Sequence, residues 1–275
     1  MSALVQRPII IGGCPRSGTT LLRSALNAHP NIFAGPECAY GLKAVEAVIA
    51  TDKHISERAS KAFGLSEDDT LRSYGVGWEY WLRRILDTNA PDKGRIADKM
   101  PQYQRHFGMM SYMLPDALFI HVIRDPRDVT ASLFDRTDMF GYETGESVEF
   151  CQYADKAAQY WAHETGLGVK MRQHENAARY TEVHYEDLAR NPRETLARLL
   201  EFVEENWSED VLHPNDGGIE WTNGDTSKPP HAKSVGRWRE RLSERDALIV
   251  ELQAQGLMDR LGYQREMTAA AEAAE

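Results

Sequence analysis

Cysteine is scarce in this chain. Cys14, Cys38 and Cys151 are the only three among 275 residues, and their spacing fits neither a disulfide framework nor a metal knuckle. That suits a reducing compartment. Basic residues are outnumbered, with 32 Lys and Arg against 42 Asp and Glu for a net charge of −10, which argues against nucleic acid as the principal partner. Any polyanionic ligand must then be met by a local basic pocket. No apolar run approaches membrane-spanning length and no signal-peptide pattern opens the chain. The expectation is a cytoplasmic protein with no transmembrane segment. His29, His106, His121 and His184 lack metal-ligand spacing and read as structural histidines. Internal repeats are absent. What is present is an apolar content of 42%, enough to bury one core. Residues 1–265 are expected to form a single domain, with 266–275 a flexible tail.

Pro8 to Gly12 reads as a short, continuous, β-branched strand of the kind buried in a parallel sheet. A helix follows from Thr19 to Ala28, with Leu21, Leu22, Ala25 and Leu26 on one side, and stops near His29-Pro30. Ile32-Phe33-Ala34 is a second strand, leading to Gly35-Pro36-Glu37. Leu42 to about Asn89 is mostly helical. Arg95 to Lys99 is a strand before a turn at Pro101, and Leu118 to Ile123 is the clearest strand of all. It opens at once onto Arg124-Asp125-Pro126-Arg127-Asp128 and a helix through Phe134. Tyr180 to Tyr185 is another strand, Pro192 to Val203 another helix, and Asp210 to Pro230 a long loop. This alternation predicts an α/β fold, a P-loop-like three-layer sandwich whose central, mostly parallel sheet is flanked by helices. In such sheets ligands bind beyond the carboxyl ends of the strands. Arg16, Glu37, Lys99, Arg124 and Tyr185 all follow or end a predicted strand, so they belong on one rim.

The first strand runs directly into Gly12-Gly13-Cys14-Pro15-Arg16-Ser17-Gly18-Thr19-Thr20. Gly13 and Gly18 have the spacing of a phosphate-binding loop, but Thr19 stands where the lysine of a nucleoside triphosphatase would be. Backbone N–H groups at a helix N-terminus still make an anion site. Arg16 supplies a planar cationic fork within it. The loop therefore suits a phosphate-like anion other than the γ-phosphate of ATP.

Two segments taken together resemble a known family. Pro15-Arg16-Ser17-Gly18-Thr19-Thr20-Leu21 and Ile123-Arg124-Asp125-Pro126-Arg127-Asp128-Val129-Thr130-Ala131-Ser132 are similar to the paired signature of sulfotransferases, which use 3′-phosphoadenosine 5′-phosphosulfate (PAPS). Asn27-Ala28-His29-Pro30, Gly35-Pro36-Glu37, Asp98-Lys99-Met100-Pro101, Tyr185-Glu186-Asp187-Leu188 and Lys228-Pro229 leading to Gly236-Arg237-Trp238 extend the likeness. They point toward the tyrosylprotein-sulfotransferase-like branch and its bacterial relatives. The resemblance runs from residue 9 to about residue 240 and is weak over 40–94, the helical stretch expected to shape the acceptor site.

By this resemblance Arg16, Ser17, Gly18, Thr19 and Thr20 hold the 5′-phosphosulfate. Arg124 and Ser132 hold the 3′-phosphate, joined by Arg136 one helical turn further on. Tyr185 meets the adenine, and Arg237 lies near the 3′-phosphate with Thr222 and Ser227 in the loop before it. Lys99 stabilises the bridging oxygen as the sulfuryl group leaves. Glu37 is the base that takes the acceptor's proton, because Pro101 occupies the place where cytosolic small-molecule sulfotransferases carry a histidine. An ordinary glutamate pKa of ~4.3 is low for that role, so burial or a concerted transfer is needed. Arg127 is read as a structural ion-pair partner instead. No metal is implied, since arginine and lysine neutralise the donor. The acceptor is a hydroxyl on a small molecule, lipid, glycan or tyrosine. Trp78, Tyr80, Trp81, Tyr103, Phe107 and Met110 serve either to line its pocket or as plain core. A homodimer is compatible with the family. Two other readings compete: a P-loop nucleotide kinase, and a non-catalytic nucleotide-binding module.

Overall fold

Three consecutive isoleucines set the architecture. In β1 (Ile9–Gly12) every residue is buried, with Ile9 and Ile11 in one apolar cluster and Ile10 in another. A strand that is apolar on both sides needs helices on both faces of its sheet. The computed structural model describes residues 5–51, 53–135, 152–213 and 232–268. Arg136, Thr222 and Ser227 lie outside the described residues.

The sheet has five strands: β1, β2 (Ile32–Ala34), β3 (Arg95–Lys99), β4 (Leu118–Ile123) and β5 (Tyr180–His184), in the order β2-β3-β1-β4-β5. Every neighbouring pair is parallel. On one face lie α1 (Thr19–Ala28), α8 (Tyr185–Arg190) and α9 (Pro192–Phe202). Their Leu22, Leu26, Leu188, Leu196 and Leu199 pack on Ile9, Ile11, Ile120 and Val122. On the other face Trp78, Leu82 and Leu86 of α4 (Glu67–Asn89) and Phe107, Met110 and Met113 of α5 (Phe107–Met113) cover Ile10, Ile96 and Phe119.

The long helical stretch between β2 and β3 resolves into α2 (Tyr40–Ile49), α3 (Lys53–Phe63) and α4. Ser66 and Asp69 form a reciprocal capping box that starts α4. Beyond β4 lie α6 (Pro126–Phe134), α7 (Ala154–Val169), α10 (Trp238–Arg241) and α11 (Glu244–Leu261). Trp161 of α7 and Ala254, Leu257 and Met258 of α11 close a third cluster with Ile123, Val129 and Leu133. Of the tail expected from residue 266, the described part is tied down: the N–H groups of Glu266, Met267 and Thr268 all donate to Glu251.

From β1 the chain moves outward to β2, returns to β3, and crosses to β4 on the other side of β1. The connections after β1 and β4 therefore part in opposite directions. The crevice between their carboxyl ends is the switch point of the sheet.

Candidate active site

Both signature segments open onto that crevice. After β1 the backbone takes left-handed turns at Arg16 (φ 73°) and Gly18 (φ 93°), which tilts successive N–H groups inward as a nest. For Arg16 the conformation costs roughly 1–2 kcal/mol. At Gly18 no side chain fits, since a Cβ would stand 2.3 Å from Cδ2 of Tyr185. Gly13 is equally constrained, because a Cβ there would meet the Val122 carbonyl oxygen at 2.4 Å. Its N–H donates to Pro101 O at 2.9 Å and to Gln104 Oε1 at 3.2 Å. The start of the loop is thus fixed to the turn that follows Lys99.

The second segment is bonded to the first. Arg124 Nη1 donates to Arg16 O at 3.0 Å, and Arg16 Nε donates to Ser132 Oγ of α6 at 3.1 Å. The Arg124 guanidinium lies 4.3 Å from the centre of the Tyr185 ring, whose side chain also covers Gly18. Arg16, Ser17, Gly18, Arg124, Ser132 and Tyr185 are therefore one contiguous group. Two of its polar atoms, Ser17 Oγ and Arg124 Nε, are buried and have no hydrogen-bond partner among the described residues. Such groups are costly unless a ligand meets them, and a hydroxyl and a guanidinium N–H both donate to phosphate oxygens.

On the β3 side Lys99, 2% exposed, donates to Thr20 Oγ1 at 3.2 Å and is in direct ion-pair contact with Glu37. The Glu37 side chain is 34% exposed, so one side of the carboxylate remains open to a second molecule. Asp98, the preceding strand residue, points to the opposite face. There it accepts from Trp78 Nε1 at 3.0 Å and Tyr103 Oη at 2.9 Å. Burial pushes its carboxyl above the usual range.

Packing decides several readings that the sequence left open. Of the aromatic and apolar residues read as either pocket lining or core, Trp78, Tyr103, Phe107 and Met110 are core, while Tyr80 and Trp81 are exposed. Trp81 stacks on Tyr40 with ring centres 5.1 Å apart. Arg127 has the structural role read from the sequence, but in the interior: it is paired with Asp125 and Glu251, all largely buried. The side chain of Arg237, 40% exposed, lies 3.6 Å from Asp135, while its neighbours Gly236 and Trp238 donate to Asp128 beside Arg124. Thr19 is buried at the first position of α1.

Sequence reading missed the groups that hold Arg124. Trp161 Nε1 donates to Arg124 O at 2.9 Å, and Arg124 Nη2 donates to Ser234 O at 2.6 Å. Asp128, with an oxygen 4.0 Å from the guanidinium, accepts the N–H groups of Gly236 and Trp238. Gln104 and Glu164, joined at 2.7 Å behind Gly13, were likewise unmarked. Among the described residues no group of three His, Cys, Asp or Glu is arranged to hold a metal ion. Nor is any described helix long and apolar enough to cross a membrane.

Residues 8–209 match the model of the sulfotransferase family. The chain belongs to that family. Protein-tyrosine sulfotransferase 1 of Danio rerio is 26% identical over 273 residues, spanning 93% of this chain and 72% of the relative. The Drosophila melanogaster protein-tyrosine sulfotransferase is 24% identical, and the match spans 84% of this chain but only 46% of that protein. In fold, this sulfotransferase superposes on the sulfotransferase domain of the Synechococcus PCC 7002 olefin synthase with a TM-score of 0.58 at 21% identity, over 90% of this chain and 96% of that one. The resemblance read from the two signature segments is upheld, and the kinase reading is not favoured.

Proposed function

We propose that this sulfotransferase takes PAPS as donor and moves its sulfuryl group in line to an acceptor hydroxyl. The observation that carries the reading is the Arg16–Ser132–Arg124–Tyr185 group, with its buried unpartnered Ser17 hydroxyl and Arg124 Nε. Arg16 and the loop N–H groups receive the 5′-phosphosulfate, Arg124 and Ser132 the 3′-phosphate, and Tyr185 the adenine. As the acceptor oxygen bonds to sulfur, Glu37 takes its proton and Lys99 meets the negative charge on the departing bridging oxygen. Their ion pair keeps base and cation on the same few ångströms of rim. Because Glu37 is partly exposed, its carboxylate can meet the acceptor hydroxyl directly, and proton loss concerted with O–S bond formation suits that placement. The Tyr40–Trp81 stack, with Tyr40 three residues from Glu37, favours an aromatic acceptor such as a phenol. Cys14 is buried and Cys38 exposed, both outside any disulfide, which suits a cytoplasmic setting.

Isothermal titration with 3′-phosphoadenosine 5′-phosphate, AMP and ATP tests the donor. Tightest binding of the 3′-phosphorylated nucleotide, without Mg²⁺, is expected. Equal affinity for AMP would remove the 3′-phosphate assignment, and tight Mg²⁺-dependent ATP binding would restore the kinase reading. Incubating ³⁵S-labelled donor with a cell extract, then identifying labelled product by mass spectrometry, tests the acceptor class.

A further inference from the structure

Beneath the Arg124 turn lies a chain of buried polar groups that neither donor nor acceptor contacts would use. Arg127 is its centre. Its Nε and Nη2 donate to the two carboxylate oxygens of Asp125 at 3.0 and 2.7 Å, while Nη1 donates to Glu251 Oε1 at 2.7 Å. The guanidinium also lies 4.4 Å from the ring centre of Trp238.

Glu251 sits on the buried face of α11, among Ala247, Val250 and Ala254, where an apolar side chain would be the ordinary choice. Besides Arg127, it accepts the N–H groups of Glu266 at 2.9 Å, Met267 at 2.9 Å and Thr268 at 2.8 Å, and the Thr268 hydroxyl at 3.1 Å. A second carboxylate makes the same connection from the other side. Glu186 accepts the Asp125 N–H at 2.9 Å through Oε1 and the Tyr263 hydroxyl at 3.0 Å through Oε2. Residues 263–268 are thereby fastened twice to residues 125 and 127, immediately after Arg124.

We infer that the segment 263–268 is a working part of the donor site, with Glu251 and Tyr263 as positioning residues that fix the turn carrying Arg124. This rests on Arg124 being the 3′-phosphate ligand. A guanidinium recognises phosphate oxygens only when its planar fork is aimed at them. The aim of Arg124 is set jointly by the backbone of residues 124–128 and by its bonds to Arg16 O and Ser234 O, while its Nε, without a partner among the described residues, is left to the ligand. That backbone is held at Asp125 N by Glu186 and, through the Asp125–Arg127 pair, by Glu251. Loosening either hold lets the Arg124 fork drift, while the 5′-phosphate loop keeps the bonds of Gly13 to Pro101 and Gln104 and of Arg16 to Ser132. The loss should therefore fall on the 3′-phosphate alone.

Titration of the full chain, Tyr263→Phe and Glu251→Gln with 3′-phosphoadenosine 5′-phosphate and with AMP decides it. Glu251→Gln is expected to reduce the preference for the 3′-phosphorylated nucleotide about tenfold, as for one charge-assisted hydrogen bond lost, and Tyr263→Phe about threefold. AMP affinity should stay unchanged in both. A purely structural role would instead lower both affinities together, and that result, or an unaltered preference, overturns the inference. If Glu251→Gln does not fold, Tyr263→Phe alone decides by the same criterion. A wild-type chain with no preference over AMP removes the donor assignment, and this inference with it.

Discussion

At Glu37 a carboxylate and a buried ammonium share one contact, yet they serve opposite ends of the proposed transfer. Substituting each should therefore separate their effects. Glu37→Gln removes the proton acceptor but keeps the shape, so kcat should fall about 10²–10⁴-fold with donor affinity nearly intact. Turnover within a few-fold of wild type would reduce Glu37 to a turn residue. Lys99→Ala should likewise act mainly on kcat, because its charge is needed most as the leaving oxygen becomes negative. A change in donor KM alone would make it a binding residue. Arg124→Ala is different in kind. It removes a largely buried cation aimed at the ground-state donor, and titration should show a loss of roughly 1.5–3 kcal/mol.

At the scale of elements, the strand-to-helix turn after β1 is the most demanding piece of the fold. Gly18 combines a left-handed φ of 93° with direct contact to Tyr185. Gly18→Ala should cost at least about 1–2 kcal/mol in chemical denaturation, from backbone conformation alone, and should weaken donor binding as Tyr185 is displaced. Unchanged stability would mean that the turn adapts freely. This turn was legible in the sequence because glycine and a β-branched run are local signals. So were all five strands, and α1 matches its reading residue for residue. Of the candidate site, the strand-end residues were legible: the structure groups Arg16, Arg124 and Tyr185, and pairs Lys99 with Glu37. Its supports were not, because Trp161, Glu164 and Ser234 approach from elements far along the chain. Helix α7 is hard to see in the sequence, since Gly166 and Gly168 blur its pattern. Gly168 is there for packing: a Cβ would stand 2.5 Å from the His121 ring. For α11 the local signals are all present, with Ser243 capping at Asp246 N, an apolar period and a left-handed Gly262. Glu251 on its apolar face is the one residue out of pattern, and that misfit marks the polar chain beneath Arg124.

For the molecule as a whole, acid sensitivity should originate in the centre of the sheet. His121 of β4 is fully buried. Its Nδ1 is 2.9 Å from the Tyr180 hydroxyl, and its Nε2 has no hydrogen-bond partner among the described residues. Burial lowers its pKa to about 4, against the partial counter-pull of Glu182. An unfolded histidine titrates near ~6.5, so between these values the unfolded chain binds a proton that the native chain refuses. The contribution of His121 is thus complete above ~6.5 and is lost as pH falls toward 4, at about 1.4 kcal/mol per unit. Asp98 and Glu186, whose carboxyls burial raises, act with the opposite sign: in their window the native chain holds the extra proton, so stability falls as pH rises. A bare pH profile mixes the two, whereas a comparison with His121→Leu isolates the histidine. The variant carries a constant packing penalty at every pH, but it lacks the slope. Between pH 7 and pH 5 wild type should lose about 2 kcal/mol more than His121→Leu in urea denaturation. Parallel curves for the two proteins would show that His121 is already protonated in the native fold, and the acid limb would then have to come from Glu251 and Glu182, whose burial is outweighed by hydrogen-bond partners that hold their carboxyls below the usual range.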